Sequence, residues 1–309
     1  MDFELEIANL HIKKNEINWI LKPYPHAIID NFLPKSLFEQ VSSTKPDVLD
    51  DLRRTNTTGL EFNKKEYGIK GKSQKFRIPI EIMGFGIGKN LFSKFMNPSK
   101  IITLASHDDF GGYYPYHSSS RNGLLGSHVD HCFLGDNIHF ANSIFYAHKE
   151  WKKEWQGETI LFNHNGFKPL VYIEPKPNRM VLFIHSNTSF HGVNKILCPE
   201  KITRNTYYMD YYLHSNDIKH LVENIQKAGK GKPKIKYSYH QTTFIPFFPF
   251  GFNSRPTFNT RRIVTYFRAY IIYLFFRILP IDFKYSKKFN RLYNNLKNSI
   301  KRQINKFFS

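Results

Sequence analysis

Cysteine is nearly missing: Cys132 and Cys198 are the only two in 309 residues. No disulfide framework can be built from them, and a reducing compartment fits best. A secretory leader is not expected either. The chain opens Met1-Asp2-Phe3-Glu4-Leu5-Glu6, acidic where such a signal is basic, with no apolar run behind it. The expectation is a cytoplasmic protein. Long hydrophobic runs are absent from the C-terminal region, where the aromatic and aliphatic stretch 261–279 is broken by Arg268 and Arg277. Its longest uncharged run is the eight residues Ala269–Phe276, far short of a membrane span. Acidic residues are scarce there too: 219–309 holds 2 Asp/Glu against 19 Lys/Arg, whereas 1–218 holds 23 against 26. The net charge of +20 therefore belongs to the tail and marks a boundary near residue 219. A phosphate loop is also excluded. The cluster Met83-Gly84-Phe85-Gly86-Ile87-Gly88-Lys89-Asn90 lacks the required spacing and the Ser/Thr after Lys, and it reads as a turn into an amphipathic helix.

Aromatic residues, in contrast, are plentiful: 29 Phe and 18 Tyr bring the aromatic fraction to 16% and favour a rigid, β-rich core. The opening Tyr24-Pro25-His26-Ala27-Ile28-Ile29-Asp30 reads as a strand, followed by a helix with Leu37, Phe38 and Val41 at helical spacing. Residues 42–75 are polar and Lys/Asn-rich and read as loops. Eight short β-branched or aromatic segments then follow: 101–105, 126–132, 143–146, 159–163, 170–173, 180–184, 189–193 and 204–213. The expected class is mainly β, a jelly roll of cupin-like kind with flanking N-terminal helices and a basic helical C-terminal tail. The expected domains are 1–218, with its core at about 101–213, and the aromatic-rich extension 219–309.

One constellation carries chemistry. His128-Val129-Asp130 is followed 61 residues after Asp130 by His191, in Ser189-Phe190-His191-Gly192-Val193, and 13 residues later by Arg204-Asn205-Thr206. Strand alternation sends His128 and Asp130 to one face and Val129 to the other. His191 must come from another strand, and Gly192 permits close backbone approach. Two imidazoles and one carboxylate leave half of an octahedral iron site open, which suits non-haem Fe(II) oxygen chemistry. Arg204 can grip a carboxylate bidentately, and Thr206, on the same face, adds a hydroxyl. The bland reading makes His128, Asp130 and His191 structural polar residues of a non-catalytic barrel. Cys132 reads as a small buried hydrophobe. His139, His148, His164 and His185 have no matching partner spacing and read as ordinary histidines.

With Trp155-Gln156-Gly157-Glu158-Thr159-Ile160-Leu161-Phe162, Ile173-Glu174-Pro175-Lys176-Pro177-Asn178-Arg179-Met180-Val181-Leu182-Phe183 and the opening Tyr24–Pro34, the chain resembles the prolyl-4-hydroxylase-like branch of the Fe(II)/2-oxoglutarate oxygenase superfamily over about residues 23–213. The resemblance implies a double-stranded β-helix in which His128, Asp130 and His191 are the metal ligands and the catalytic set. It implies Fe(II), with 2-oxoglutarate and O2 as co-substrates and ascorbate as a candidate addition. The keto acid end of 2-oxoglutarate would chelate iron and its other carboxylate would meet Arg204. Decarboxylation to succinate would accompany hydroxylation of a substrate. Collagen-type prolyl hydroxylases use Lys where Arg204 stands, so prolyl substrates are not implied. The retained Asp130 argues against the related halogenases. Tyr113, Tyr114 and Tyr116 precede the site beside a loop with Ser118-Ser119-Ser120-Arg121. Tyr116 is the candidate for a supplementary co-substrate contact, and the polar loop is a candidate lid.

The substrate expected is a small molecule, a glycan or lipid-linked precursor, or a protein side chain. The basic tail permits packing on the barrel or a second subunit, peripheral membrane contact through 261–308, or nucleic-acid binding, ranked in that order. The second of the two tail helices sets Phe289, Leu292, Tyr293, Leu296, Ile300 and Ile304 on one face. The segment 205–213 lacks the second Arg that nucleic-acid dealkylating oxygenases carry, which ranks nucleic acid last. The rival function is a non-catalytic jelly-roll binding protein acting through its basic tail. Neither substrate identity nor oligomeric state follows from the sequence.

Overall fold

The computed structural model describes residues 17–44, 52–55, 61–68, 74–103, 114–134, 136–230 and 242–245, with positions 235, 237, 270, 271, 273, 274, 295 and 299. Strand β1 (His26–Ile29) leads into helix α1 (Lys35–Ser43). Strands β2 (Leu52–Thr55) and β3 (Glu61–Tyr67) pair with each other, followed by helices α2 (Gln74–Gly84) and α3 (Gly86–Asn90). Strands β4 (Ile102–Thr103), β5 (Tyr116–Val129), β6 (Phe133–Leu134) and β7 (Asn137–Tyr146) come next. Then follow β8 (Thr159–Phe162), β9 (Pro169–Ile173), β10 (Met180–Ile184), β11 (His191–Val193) and β12 (Arg204–His214). Helix α4 (Ile218–Ala228) and the short strand β13 (Thr243–Phe244) lie beyond them.

The strand order is β1-β10-β7-β12-β5-β11-β8-β9. Strand β5 changes sheets in mid-course. Its first half, Tyr116–Ser119, pairs with β12, and its second half pairs with β11 through Leu125 and His128. At the bend Asn122 takes φ 62°, and a Cβ on Gly123 would lie 2.7 Å from the Ser120 carbonyl oxygen. A left-handed residue beside one that tolerates no side chain is what lets a strand fold over on itself. The result is two facing antiparallel sheets, a double-stranded β-helix with a cavity between them.

Alternation along β12 divides the molecule. Arg204, Thr206, Tyr208 and Asp210 face the cavity. Tyr207, Met209, Tyr211 and Leu213 enter the main apolar core, which they share with Phe76, Ile80 and Met83 of α2, with Phe92 and Phe95, and with Leu37 and Val41 of α1. The helices thus cover the outer face of the larger sheet, and Tyr211 Oη donates to the Met83 carbonyl at 2.8 Å. Gly88 of α3 has no room for a side chain, since its Cβ would collide with the Met83 carbonyl. That packing demand accounts for one glycine of the cluster around residue 86. A second apolar cluster, on the outer face of the smaller sheet, joins Val129, Ile160, Phe162, Phe190 and Ile245.

Two sequence expectations need correction. Residues 42–75 are not all loop: β3 pairs with β5 along Glu61–Tyr67, and its polar residues Lys64 and Glu66 face the polar cavity. A hydrophobicity pattern cannot signal a strand whose inner face is wet. Likewise Ser118–Arg121 is not a lid loop but part of β5, with Ser118 and Ser119 paired to Asn205 and Arg204. Past residue 218, Leu221 and Ile225 of α4 are buried in the main core. The cationic helix expected over 289–304 lies almost wholly outside the described residues. Among the described residues, no helix is long and apolar enough to cross a membrane.

Phe145 tests this layering. It is fully buried on β7, with the rings of Phe32 and Phe38 at 5.6 and 6.3 Å. Phe145→Ala is expected to cost about 3–5 kcal/mol in urea unfolding. A loss below about 1 kcal/mol would contradict a close-packed core at this point.

Candidate metal centre

His128 ends the inward-facing run of β5, Val129 turns outward into the second apolar cluster, and Asp130 is the first residue past the strand. His191 opens β11 directly opposite His128 in the ladder. Their rings lie 4.3 Å apart. A Cβ on Gly192 would sit 2.6 Å from the Leu125 carbonyl oxygen, so only glycine lets β11 approach this closely.

Each imidazole is oriented by the main chain. His128 Nδ1 donates to the Gly126 carbonyl at 2.8 Å and His191 Nδ1 to the Ser189 carbonyl at 3.1 Å. A ring whose Nδ1 faces a carbonyl keeps its proton there, which leaves the Nε2 lone pair for a metal. Both Nε2 atoms point at Asp130: His128 Nε2 is 3.4 Å from Oδ1 and His191 Nε2 is 3.4 Å from Oδ2. Donors about 2.1 Å from one ion at right angles stand about 3 Å apart, close to this arrangement. Burial opposes the Asp130 charge, but His191 and then His128 hold its carboxyl well below the usual range. Burial likewise opposes a charged His191, and Asp130 more than offsets it, so that its pKa rises. Two imidazole nitrogens and a carboxylate gathered this closely form a donor set that a divalent ion can fill. Behind them, Asn142 Nδ2 donates to Asp130 Oδ2 and to Asp210 Oδ1, both at 3.1 Å, fixing the ligand carboxylate.

A neighbouring group, His131, His139 and Asp210, also clusters closely. Its nitrogens are already engaged: His139 Nδ1 faces the His131 carbonyl at 2.9 Å and Nε2 the Ala141 carbonyl at 3.1 Å, while His131 Nε2 meets Tyr212 Oη at 3.0 Å. Burial pushes the Asp210 carboxyl up to about 7. Hydrogen bonding accounts for this cluster.

The ligands line a cavity of about 220 Å³ that Arg204 also lines. Arg204 is 4% exposed. Its Nε donates to the Gly157 carbonyl at 2.9 Å, and Nη2 donates to Thr159 Oγ1 at 3.0 Å and Tyr146 Oη at 3.3 Å. Among the described residues, no carboxylate pairs with it. A buried guanidinium whose hydrogen bonds go to neutral groups keeps its charge available to an anion. Thr206, buried, lines the same cavity one alternation further along β12.

Tyr116 does not join them. It packs into the main core against Phe76 at 5.0 Å and Tyr207 at 4.9 Å. Alternation along β5 sends its neighbours His117 and Ser119 to the cavity instead. Tyr113 lies outside the described residues. Sequence reasoning missed Tyr146, although it shares the strand face of Ile144 and Asn142, and it missed Thr159. It also missed the wall formed by Lys64, Glu66 and His117. Burial works against the Lys64 ammonium, and Glu61 at 2.9 Å and Glu66 at 2.8 Å more than offset it. Burial, then Lys64 and Arg204, push His117 well below the usual histidine range.

Residues 113–209, which contain all of these ligands and Arg204, match the 2OG-Fe(II) oxygenase superfamily. The match is to a domain of that superfamily over about a third of the chain. Fe(II), 2-oxoglutarate and O2 are the cofactor and co-substrates of such a domain, and the donor set and the buried cation found here fit them. Comparison with curated protein sequences returns no match. Solved structures similar to the chain include a prolyl hydroxylase from Trichoplax adhaerens in complex with a hypoxia inducible factor oxygen degradation domain peptide fragment. It has 15% identity and a TM-score of 0.41 and covers 70% of this chain and 93% of that one. A Pseudomonas putida prolyl-4-hydroxylase has 14% identity and a TM-score of 0.42 and covers 67% and 98%. HygX from Streptomyces hygroscopicus, with nickel and 2-oxoglutarate bound, has 10% identity and a TM-score of 0.40 and covers 62% and 83%.

The surroundings of Arg204 give a direct test. Tyr146→Phe and Thr159→Val should each weaken 2-oxoglutarate binding to the Mn(II)-loaded protein about two- to tenfold in calorimetry. Tyr116→Phe should leave it unchanged. Equal effects at all three positions would contradict the placement of Tyr116.

Proposed function

We propose that this chain is an Fe(II)- and 2-oxoglutarate-dependent dioxygenase that hydroxylates its substrate and releases succinate and CO2. One observation carries the reading: the Arg204 guanidinium, which pairs with no carboxylate among the described residues, lines the same cavity as the His128–Asp130–His191 set. A two-histidine, one-carboxylate face needs a co-substrate with a chelating end, and a buried arginine needs one with a carboxylate. A short keto diacid satisfies both.

The reaction balances without any other reagent. The substrate C–H, 2-oxoglutarate and O2 yield C–OH, succinate and CO2, one oxygen atom going to each oxidised product. Bound Fe(II) supplies the activation of O2. The chain's own residues do the rest. His128, His191 and Asp130 would hold the ion and, as three ligands, would leave positions for co-substrate and O2. Asn142 keeps the Asp130 carboxylate in place. Arg204, braced by Tyr146, Thr159 and the Gly157 carbonyl, fixes the far end of the keto acid. Thr206 adds a hydroxyl between that end and the metal. Lys64, Glu66, His117 and Tyr208 form the wall left for the substrate. We take that substrate to be a small molecule, a glycan or lipid-linked precursor, or a protein side chain.

Anaerobic titration of the full chain with Fe(II) and 2-oxoglutarate tests the proposal. The keto acid chelate should produce a visible charge-transfer band, absent in Asp130→Ala. In Arg204→Ala half-saturation should need about ten to a hundred times more 2-oxoglutarate, as for loss of hydrogen bonds to a charged group. Admission of O2 should then form succinate. A folded wild-type protein with neither band nor succinate would contradict the proposal and leave a non-catalytic barrel.

A further inference from the structure

The chain beyond residue 230 reaches the metal centre. Strand β13 adds to the edge of β5, with Thr243 opposite Val129 and Phe244 opposite His128. The Ile245 N–H donates to the Ser127 carbonyl at 2.8 Å, extending the contact by one residue. The Phe244 ring stacks on the His128 imidazole, with centroids 4.8 Å apart and planes inclined by 17°. His191 lies against His128 as well, at 4.3 Å. This ligand is therefore held by an aromatic plate, by its partner ligand and by the Gly126 carbonyl.

The plate is itself anchored. Ile245 is 1% exposed and sits in the outer cluster with Val129, Ile160, Phe162 and Phe190. Tyr273, from much further along the extension, belongs to the same cluster, and its hydroxyl donates to the Asn165 carbonyl at 3.4 Å. The intervening turn is shaped to receive them: Gly166 takes φ +81°, and a Cβ there would stand 2.8 Å from Ile245 Cγ1. Val129, between the two ligands His128 and Asp130, touches the extension on its outer side. The contact thus reaches the metal ligands from the face opposite the cavity.

We infer that the C-terminal extension is a working part of the metal centre, in which Phe244 is a positioning residue that sets the plane of His128 by stacking. This rests on the reading of His128, Asp130 and His191 as metal ligands. Two physical effects act together. Stacking restricts rotation of the imidazole about its attachment, a freedom that the Nδ1 hydrogen bond alone limits only at one point. Metal coordination also draws electron density from the imidazole, and the electron-rich face of a phenyl ring favours that electron-poor partner. The plate therefore stabilises the metal-bound histidine more than the free one.

The test is Co(II) titration of the full chain without 2-oxoglutarate, followed by the visible d–d bands, for wild type and for Phe244→Leu, Phe244→Met and Phe244→Tyr. Leucine and methionine keep the apolar bulk and the main-chain pairing but remove the flat face. Both should weaken Co(II) binding about tenfold and shift the d–d bands. Tyrosine should restore affinity to within about twofold of wild type, since it returns the ring. Melting temperatures of the metal-free leucine and wild-type proteins should agree to within about 4 °C. Leucine and methionine variants with wild-type affinity and spectrum would overturn the inference, as would a tyrosine variant as weak as leucine. A wild-type protein that binds no Co(II) would overturn the metal-ligand reading, and this inference with it.

Discussion

The pairing of β5 with β11 at His128 and His191 is the contact on which the rest of the structure depends. It sets two imidazoles 4.3 Å apart, and it exists because Gly192 admits the Leu125 and Gly126 carbonyls where any Cβ would collide. Asp130 needs only the His-x-Asp alternation to join them. The bend at Asn122–Gly123 then carries the same strand into the larger sheet, where Ser119 lies opposite Arg204. One continuous strand therefore carries His128 and sets the register of Arg204, so the separation of the two ends of the candidate site is a property of β5 and not of any loop.

Electrostatics inside the cavity follow from this arrangement. The ligand set gathers around Asp130, whose charge is sustained by His191 and His128 against burial. Among the described residues, Arg204 is hydrogen-bonded by hydroxyls and a carbonyl and by no carboxylate. In the proposed reading a divalent cation at one place and a dianionic co-substrate spanning the two answer both sites. The nearby His131–His139–Asp210 group shows the contrast. There, main-chain carbonyls and Tyr212 occupy the histidine nitrogens, and Asp210 is driven toward its neutral form. Two clusters of the same residue types differ in whether their lone pairs are already spoken for.

Much of this was legible in the sequence. Local alternation puts His128 and Asp130 on one face, and β-rich segments separated by turn residues point to the barrel. The resemblance is what singles out His191 and Arg204, and the ladder sets them opposite His128 and Ser119. What failed were features set by contacts across the chain. Strand β3 carries Lys64 and Glu66 toward a polar cavity, so no apolar period announces it. Tyr116 and His117 are equally plausible by composition, and only pairing with Tyr207 and Thr206 decides which one enters the core. The strand expected over 143–146 begins at Asn137, so Asn142, whose face Tyr146 shares, lies outside the expected segment. Phe244 lies 116 positions from His128, in the basic extension and with no local pattern that ties it to the site, and only the ladder between β13 and β5 reveals that they touch.

The central claim is that one divalent ion is held between His128, Asp130 and His191. Anaerobic crystals of the full chain grown with Mn(II), with diffraction recorded on both sides of the manganese absorption edge, test it most directly. The account predicts one strong anomalous peak, within coordination distance of both Nε2 atoms and of an Asp130 carboxylate oxygen. A peak at His131, His139 and Asp210, or none at either place in crystals that bind the ion, would contradict it.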